Sequence, residues 1–262
     1  YSKTNPVPAF PLLGTGGASG IYTIKFVPAG GGTLTTQHYP QGTGYATASL
    51  TSTGKVTING ALADGTKVSQ STTLSQANTW RLFAQPYSKK GLLAGDAAFA
   101  NLLESDLAAP NSLWVRPPQT SQHYPLGWQA GILLDVRGAE YTVPTGASVL
   151  STVGPINTVN GNARLVFTDG LLPASQEHRL NINPVTDAWS LFNPVSGFTA
   201  RLTRKSGIYT GTLPHPLGGK STCNGVIYQK GTNIGGFGFF LSPTPKVKDY
   251  TGQSGKVILT AP

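Results

Sequence analysis

Apolar and polar residues alternate with a period of two along most of the chain, in short runs separated by turns rich in glycine and proline. Residues 21–27 (I-Y-T-I-K-F-V) put Tyr22, Ile24 and Phe26 on one face and Thr23 and Lys25 on the other, the pattern of a half-buried strand. Residues 45–51 and 55–62 alternate likewise, with Val56, Ile58 and Leu62 sharing a parity. Ser52-Thr53-Gly54 makes the turn between them. Asp64-Gly65 makes the next, because a D-G pair accepts the positive φ that tight hairpins need. Runs at 67–75, 80–87 and 91–99 continue the meander, and connections this short point to an antiparallel barrel or sandwich. Residues 96–109 are compatible with one short helix or a loop. A strand at 111–115 is stopped by Pro117-Pro118. Further strand patterns follow at 132–136, 165–168, 179–182, 189–192, 198–203, 208–213, 221–229, 237–241 and 256–259. The last of these is expected to close a barrel by pairing back onto a first strand.

The chain also echoes itself. Residues 47–62 (T-A-S-L-T-S-T-G-K-V-T-I-N-G-A-L) and 199–213 (T-A-R-L-T-R-K-S-G-I-Y-T-G-T-L) each carry a T-A-x-L-T strand, a glycine turn and a strand ending in G-[AT]-L. The repeated positions are turn formers and alternating core residues, so the duplicated object is a fold and not a site. A shorter echo, Gln37-His38-Tyr39-Pro40 against Gln122-His123-Tyr124-Pro125, supports the duplication. The expected architecture is all-β with little or no helix. It comprises two related antiparallel β-barrel or β-sandwich units in tandem: an N-terminal arm or linker over 1–19, a first unit over 20–120 and a second over 121–262. Where the copies differ, at A-D-G against P-H-P-L-G-G and in the long loop 142–162, is where specific function is expected.

Composition narrows the setting. Charged residues are 11% of the 262 positions, against about 25% in ordinary soluble domains, so Thr, Ser, Asn and Gln must supply the polar surface. Such charge-poor, threonine-rich strand proteins are common at cell surfaces and outside cells. The single cysteine, Cys223, allows no internal disulfide, and no N-x-[ST] glycosylation acceptor occurs. Both features fit a bacterial extracellular protein better than an animal one. No apolar run approaches the ~20 residues of a spanning helix. Net charge is +9, but the cations are scattered apart from Lys89-Lys90 and Arg204-Lys205. Nucleic-acid binders cluster theirs, so no nucleic-acid partner is expected, and attraction to acidic polysaccharide or an anionic surface is the alternative to a generally basic exterior.

Candidate chemistry is sparse. Of the ten acidic residues, Asp64 and Asp169 sit in D-G turns, where each caps its own turn. Asp135, inside an apolar run, and Glu140 are the acids of most interest, and Arg137 is the expected partner of Asp135. His38, His123, His178 and His215 share no metal-ligand spacing, so no metal or cofactor is expected. His38 and His123 converge if the two short echoes lie side by side, and His215, between two prolines, is expected on a stiff hairpin tip. No G-x-S-x-G elbow occurs, and Cys223 reads as a small buried hydrophobe. The best binding signal is aromatic. Tyr39, Tyr124, Trp128 and Tyr250 fall in Pro/Gly-rich loops suited to stacking on sugars, with His123 beside them. Trp80, Trp114 and Trp189 fall in strands and should fill cores.

Gly44-Tyr45-Ala46-Thr47, Gly60-Ala61-Leu62-Ala63-Asp64-Gly65-Thr66 and Trp114-Val115-Arg116-Pro117 together resemble β-rich modules near the ends of large secreted bacterial surface proteins. Those modules are built from a G-Y-x-T strand, a G-x-L-a-D-G-T hairpin and a W-x-[KR]-P strand. The resemblance covers residues 20–120 well and 130–262 loosely, since the second half lacks the D-G-T hairpin. It implies a structural or adhesive unit of an extracellular or cell-surface assembly, with neighbouring copies or modules as partners and no catalytic residues. The alternatives are a carbohydrate-binding module using the loop aromatics and a polysaccharide hydrolase, which needs two carboxylates flanking the bond.

Overall fold

The structure is a computed structural model and describes residues 2, 4, 19–29, 35, 38–244 and 251–261. Apart from positions 2, 4 and 19, the expected N-terminal arm lies outside the described residues, as does Tyr250. The described residues contain sixteen strands and no helix. In chain order these are β1 (Ser19–Ala29), β2 (Gly44–Thr51), β3 (Lys55–Ala61), β4 (Lys67–Thr73), β5 (Thr79–Ala84), β6 (Leu92–Phe99), β7 (Leu107–Arg116) and β8 (Trp128–Glu140), followed by β9 (Ala163–Asp169), β10 (Gln176–Ile182), β11 (Trp189–Leu191), β12 (Thr199–Thr203), β13 (Ile208–Pro214), β14 (Lys220–Tyr228), β15 (Gly235–Leu241) and β16 (Ser254–Thr260). The stretch compatible with a short helix is the end of β6, a loop and the start of β7: Phe99 and Leu107 alternate into the core, while Leu102 and Leu103 are exposed.

Two eight-stranded antiparallel sheets result, ordered β4-β3-β2-β1-β8-β7-β6-β5 and β11-β10-β9-β16-β15-β14-β13-β12. Each is a meander curled into a nearly closed barrel. In each, the last strand pairs with the first, β8 with β1 and β16 with β9. The final strand thus closes its own unit. The first unit extends to Glu140, beyond the boundary expected at 120, because the apolar run in β8 is an interior staple that pairs with both β1 and β7. The connection from Tyr141 onward belongs to the second unit, and its Tyr141, Val149 and Leu150 pack into the second core.

The alternation seen in the sequence sorts inside from outside. Ala46, Ala48 and Leu50 of β2 and Val56 and Ile58 of β3 point into the first barrel, against Tyr22, Trp80, Phe99 and Trp114. The second core is built on Leu165, Phe167, Tyr209, Leu213, Cys223 and Phe240. Burial pushes the Cys223 thiol up to about 12, consistent with its reading as a small hydrophobe. The outward positions of β3, Lys55, Thr57 and Asn59, are polar and at least partly exposed, the reverse of the apolar exterior of a lipid-facing barrel. No helix among the described residues is long and apolar enough to cross a membrane.

The long echo is a hairpin in both units, β2–β3 and β12–β13. The short echo is different: the described residues of both copies belong to the first unit, so it is no evidence of duplication. The seams also differ, lying between β4 and β5 in the first barrel and between β11 and β12 in the second. At the first seam the Gln70 side chain stands in for the missing ladder. Its Nε2 donates to the Arg81 carbonyl (2.6 Å), and its Oε1 accepts from the Phe83 amide (3.2 Å). Gln70→Ala should therefore accelerate hydrogen exchange at the Phe83 amide and cost about 0.5–1.5 kcal/mol, with amides of β2 and β3 unchanged; equal exchange in both forms would show that the seam is held by something else.

Candidate functional site

The end of the first barrel holds a buried polar cluster. In β7, Trp114 and Arg116 share the inward parity, so an arginine follows a core tryptophan into the interior. A buried guanidinium needs an anion, and Asp64 in the β3–β4 turn provides it: the ion-paired side chains are 3% and 0% exposed. Asp64 does cap its own turn, accepting from the Thr66 amide (2.9 Å). The same carboxylate accepts from Tyr87 Oη (2.7 Å), whose oxygen accepts in turn from the Trp114 indole (3.0 Å). Arg116 also donates to the His123 carbonyl (2.7 Å) and lies over the Tyr87 and Trp128 rings at 5.2 and 5.5 Å. Gly65 makes the turn possible: its φ is +86°, and a Cβ there would sit 2.9 Å from Leu241 Cδ1.

The loop aromatics expected to stack on sugars roof this cluster instead. Trp128 is 4% exposed and Tyr124 2%. Trp128 meets Trp114 edge-on (4.6 Å between centroids) and Tyr124 at 5.7 Å, and Tyr39 packs half-buried on Trp128 at 6.1 Å. The two short echoes do lie together, since His38 and Tyr124 line one cavity of about 60 Å³. The residues joined are Tyr39 with Trp128 and His38 with Tyr124; His38 is exposed and bonded to Thr35 (2.9 Å). The Trp128 and Tyr124 rings are buried where they seal the barrel end over the charged pair, while Tyr39 stays half-buried and His38 exposed. Tyr250 lies outside the described residues.

His123 and Tyr124 also reach the second barrel. His123 Nε2 bonds the Ser242 carbonyl (3.0 Å), and the Ser254 amide donates to Tyr124 Oη (2.6 Å). Other ties join the units. Lys230 binds the Asp106 carboxylate and Asn101 Oδ1 (2.5 Å). The Glu104 carboxylate accepts from the Thr232 amide (3.0 Å) and Asn233 Nδ2 (2.8 Å), which holds it below its ordinary range. Tyr228 Oη donates to the Glu104 carbonyl (2.6 Å). The Lys25 ammonium sits 4.3 Å from the Tyr228 ring centre and 4.4 Å from that of Phe237, and burial lowers its pKa.

The remaining candidates are placed within the two barrels. Asp135 is paired with Arg137 (2.8 Å) as expected, but at the half-exposed surface and not inside the core. Glu140 is raised, first by burial and then by the nearby Asp106. His215 is not displayed on a hairpin tip; it is buried, with Nε2 bonded to the Gly170 carbonyl (2.9 Å). His178 stacks on Phe198 at 4.0 Å. Trp80 and Trp114 fill the first core, while Trp189 is half-buried against the second. The loop 142–162, expected to carry specificity, is pinned: Arg204 pairs with Asp187 (2.7 Å) and donates to the Pro144 and Ala147 carbonyls, and Asn162 bonds Gly154 and Ile182. Among the described residues no three His, Cys, Asp or Glu side chains are grouped to hold a metal.

Asp64→Ala strands Arg116 in the barrel end and should destabilise the chain by about 3–5 kcal/mol, whereas Asp64→Ala combined with Arg116→Met should recover part of that; chemical denaturation of the three forms decides. Burial holds His123, His178 and His215 below their ordinary 6.5. The unfolded chain therefore binds protons more readily than the folded one, and this stability is intact above pH 6.5 and lost as pH falls through the lower folded values. Denaturant midpoints should drop between pH 7 and pH 5.5, less steeply in His215→Asn. No protein-family model, no curated protein and no solved structure matches this chain.

Proposed function

We propose that the chain is a non-enzymatic structural or adhesive module of an extracellular or cell-surface protein or assembly. The observation that carries this reading is the fate of the reactive side chains. Asp64, Asp106 and Asp187 hold buried or half-buried cations, Glu104 holds backbone and amide donors, and His123 and His215 hold carbonyls. These groups are spent on closing a barrel end, on pinning a loop and on tying two barrels into one block. The exteriors of β2, β3 and β4 are left to Thr, Ser, Asn and Lys. Such a block suits packing between neighbouring modules or copies, and the resemblance in residues 20–120 supports the same setting.

Brief protease treatment of intact source cells should release peptides of this chain while a cytoplasmic marker stays protected. Peptides found only after lysis would overturn the surface assignment. The two barrels should also unfold in one calorimetric transition, and Lys230→Ala should lower its midpoint; two separate transitions would remove the rigid block on which the reading stands.

A further inference from the structure

We infer that the groove where the two barrels meet, on the side of β3 and β14, binds acidic polysaccharide. This deepens the adhesive form of the proposed function and rests on it. The groove is about 650 Å³, within the range of ligand sites. One wall is the outer face of the first barrel, where Thr47 on β2 stands opposite Asn59 on β3. The other is the outer face of β14, with Thr222 and Asn224 at alternate positions, about 6.7 Å apart along the strand. The floor is Tyr45 over Phe239, ring centres 6.1 Å apart. The Thr47, Asn59, Thr222 and Asn224 side chains hydrogen-bond to no other described residue, so both hydroxyls and both amides face the groove with their capacity unspent.

The groove does not stop there. Thr222 and Asn224 also line a second depression of about 620 Å³ over β12, β13 and β14. Across it Thr199, Thr212 and Thr222 stand in register on three adjacent strands, as do Arg201, Thr210 and Asn224. Two adjoining depressions sharing a wall make a track, which fits a polymer better than a small molecule. No lining residue of either is acidic, while Lys67, Lys220 and Arg201 line them. Among the described residues these three cations enter no ion pair. Paired hydroxyl and amide groups match a polymer of alcohols, and unpaired cations match its carboxylates. Nucleic acid is disfavoured because, of the two rings at the base, Phe239 is buried and Tyr45 is half-buried against it, which leaves no series of platforms for successive bases.

The full chain should bind polygalacturonate at least tenfold more tightly than polyglutamate, which has charge without sugar, or dextran, which has sugar without charge. N59D/N224D should weaken polygalacturonate binding at least tenfold. S71D/T73D removes the same net charge from the outer face of β4, outside the groove, and should change binding less than twofold. Melting curves check that both variants fold, and K67Q/K220Q serves in place of N59D/N224D if that variant does not. No polygalacturonate binding, equal binding of polyglutamate or dextran, or equal weakening by the two double variants would overturn the inference. Each of these leaves protease release from intact cells unaffected, so a failed groove is distinguishable from a failed surface module.

Discussion

The first barrel depends on one buried charge pair. Arg116 enters the barrel end because it shares parity with Trp114, and an unpaired guanidinium at 3% exposure would cost several kcal/mol. Asp64 removes that cost only if the β3–β4 turn is held at this distance, which in turn requires Gly65 at positive φ. Once the pair is formed, Tyr87, Trp114, Trp128 and Tyr124 have defined positions around it. Because the same segment carries His123 and Tyr124 to Ser242 and Ser254, the constraint passes into the second barrel. A pair of this kind contributes more to a single geometry than to net stability, since a well-packed apolar replacement is often as stable.

The barrels meet through mixed chemistry. A small apolar contact of Ala61, Ala63 and Phe239, with Tyr45 and Leu241 beside it, supplies area, and ion pairs and carboxylate hydrogen bonds at Glu104 and Asp106 fix direction. Directional ties resist sliding where a smooth apolar contact would not. They also leave the exterior more basic, because several of the ten acids are used at the junction or inside.

Much of the fold was legible as period and punctuation. Every strand pattern from 21–27 to 256–259 has its counterpart among the sixteen strands, since alternation reports directly which side chains enter a core. The stretch 96–109 was ambiguous because its spacing of Phe99, Leu102, Leu103 and Leu107 satisfies a helical period as well; tertiary pairing of β6 with β7 decided it. The unit boundary was misplaced because proline pairs punctuate loops inside a unit as readily as between units. At the candidate site, Asp64 was visible only as a turn former and Arg116 only as part of a W-x-R-P run. The signal that joins them was present: a basic residue two positions after a core tryptophan points inward, and an inward cation demands a buried acid. The burial of Trp128 and Tyr124 was not legible, because a Pro/Gly-rich loop can fold under as well as stand out. Lys25 as a ring-bound cation between barrels was not legible, since nothing in an alternating strand says what covers its outer face.

The pairing of first strand with last has a consequence for how the chain is made. Tyr22 lies opposite Glu140, and Arg164 opposite Thr260. Hairpins such as β2–β3 join neighbours in sequence, but neither barrel closes until its final strand arrives. That long sequence separation makes closure a slow step. During synthesis β1 waits with an open edge until β8 emerges, and the strong alternation that makes it a good core strand also makes it adhesive toward other unfinished chains. The order of strands therefore imposes a period of vulnerability on a growing chain, one that ends only when the last strand of each unit is in place.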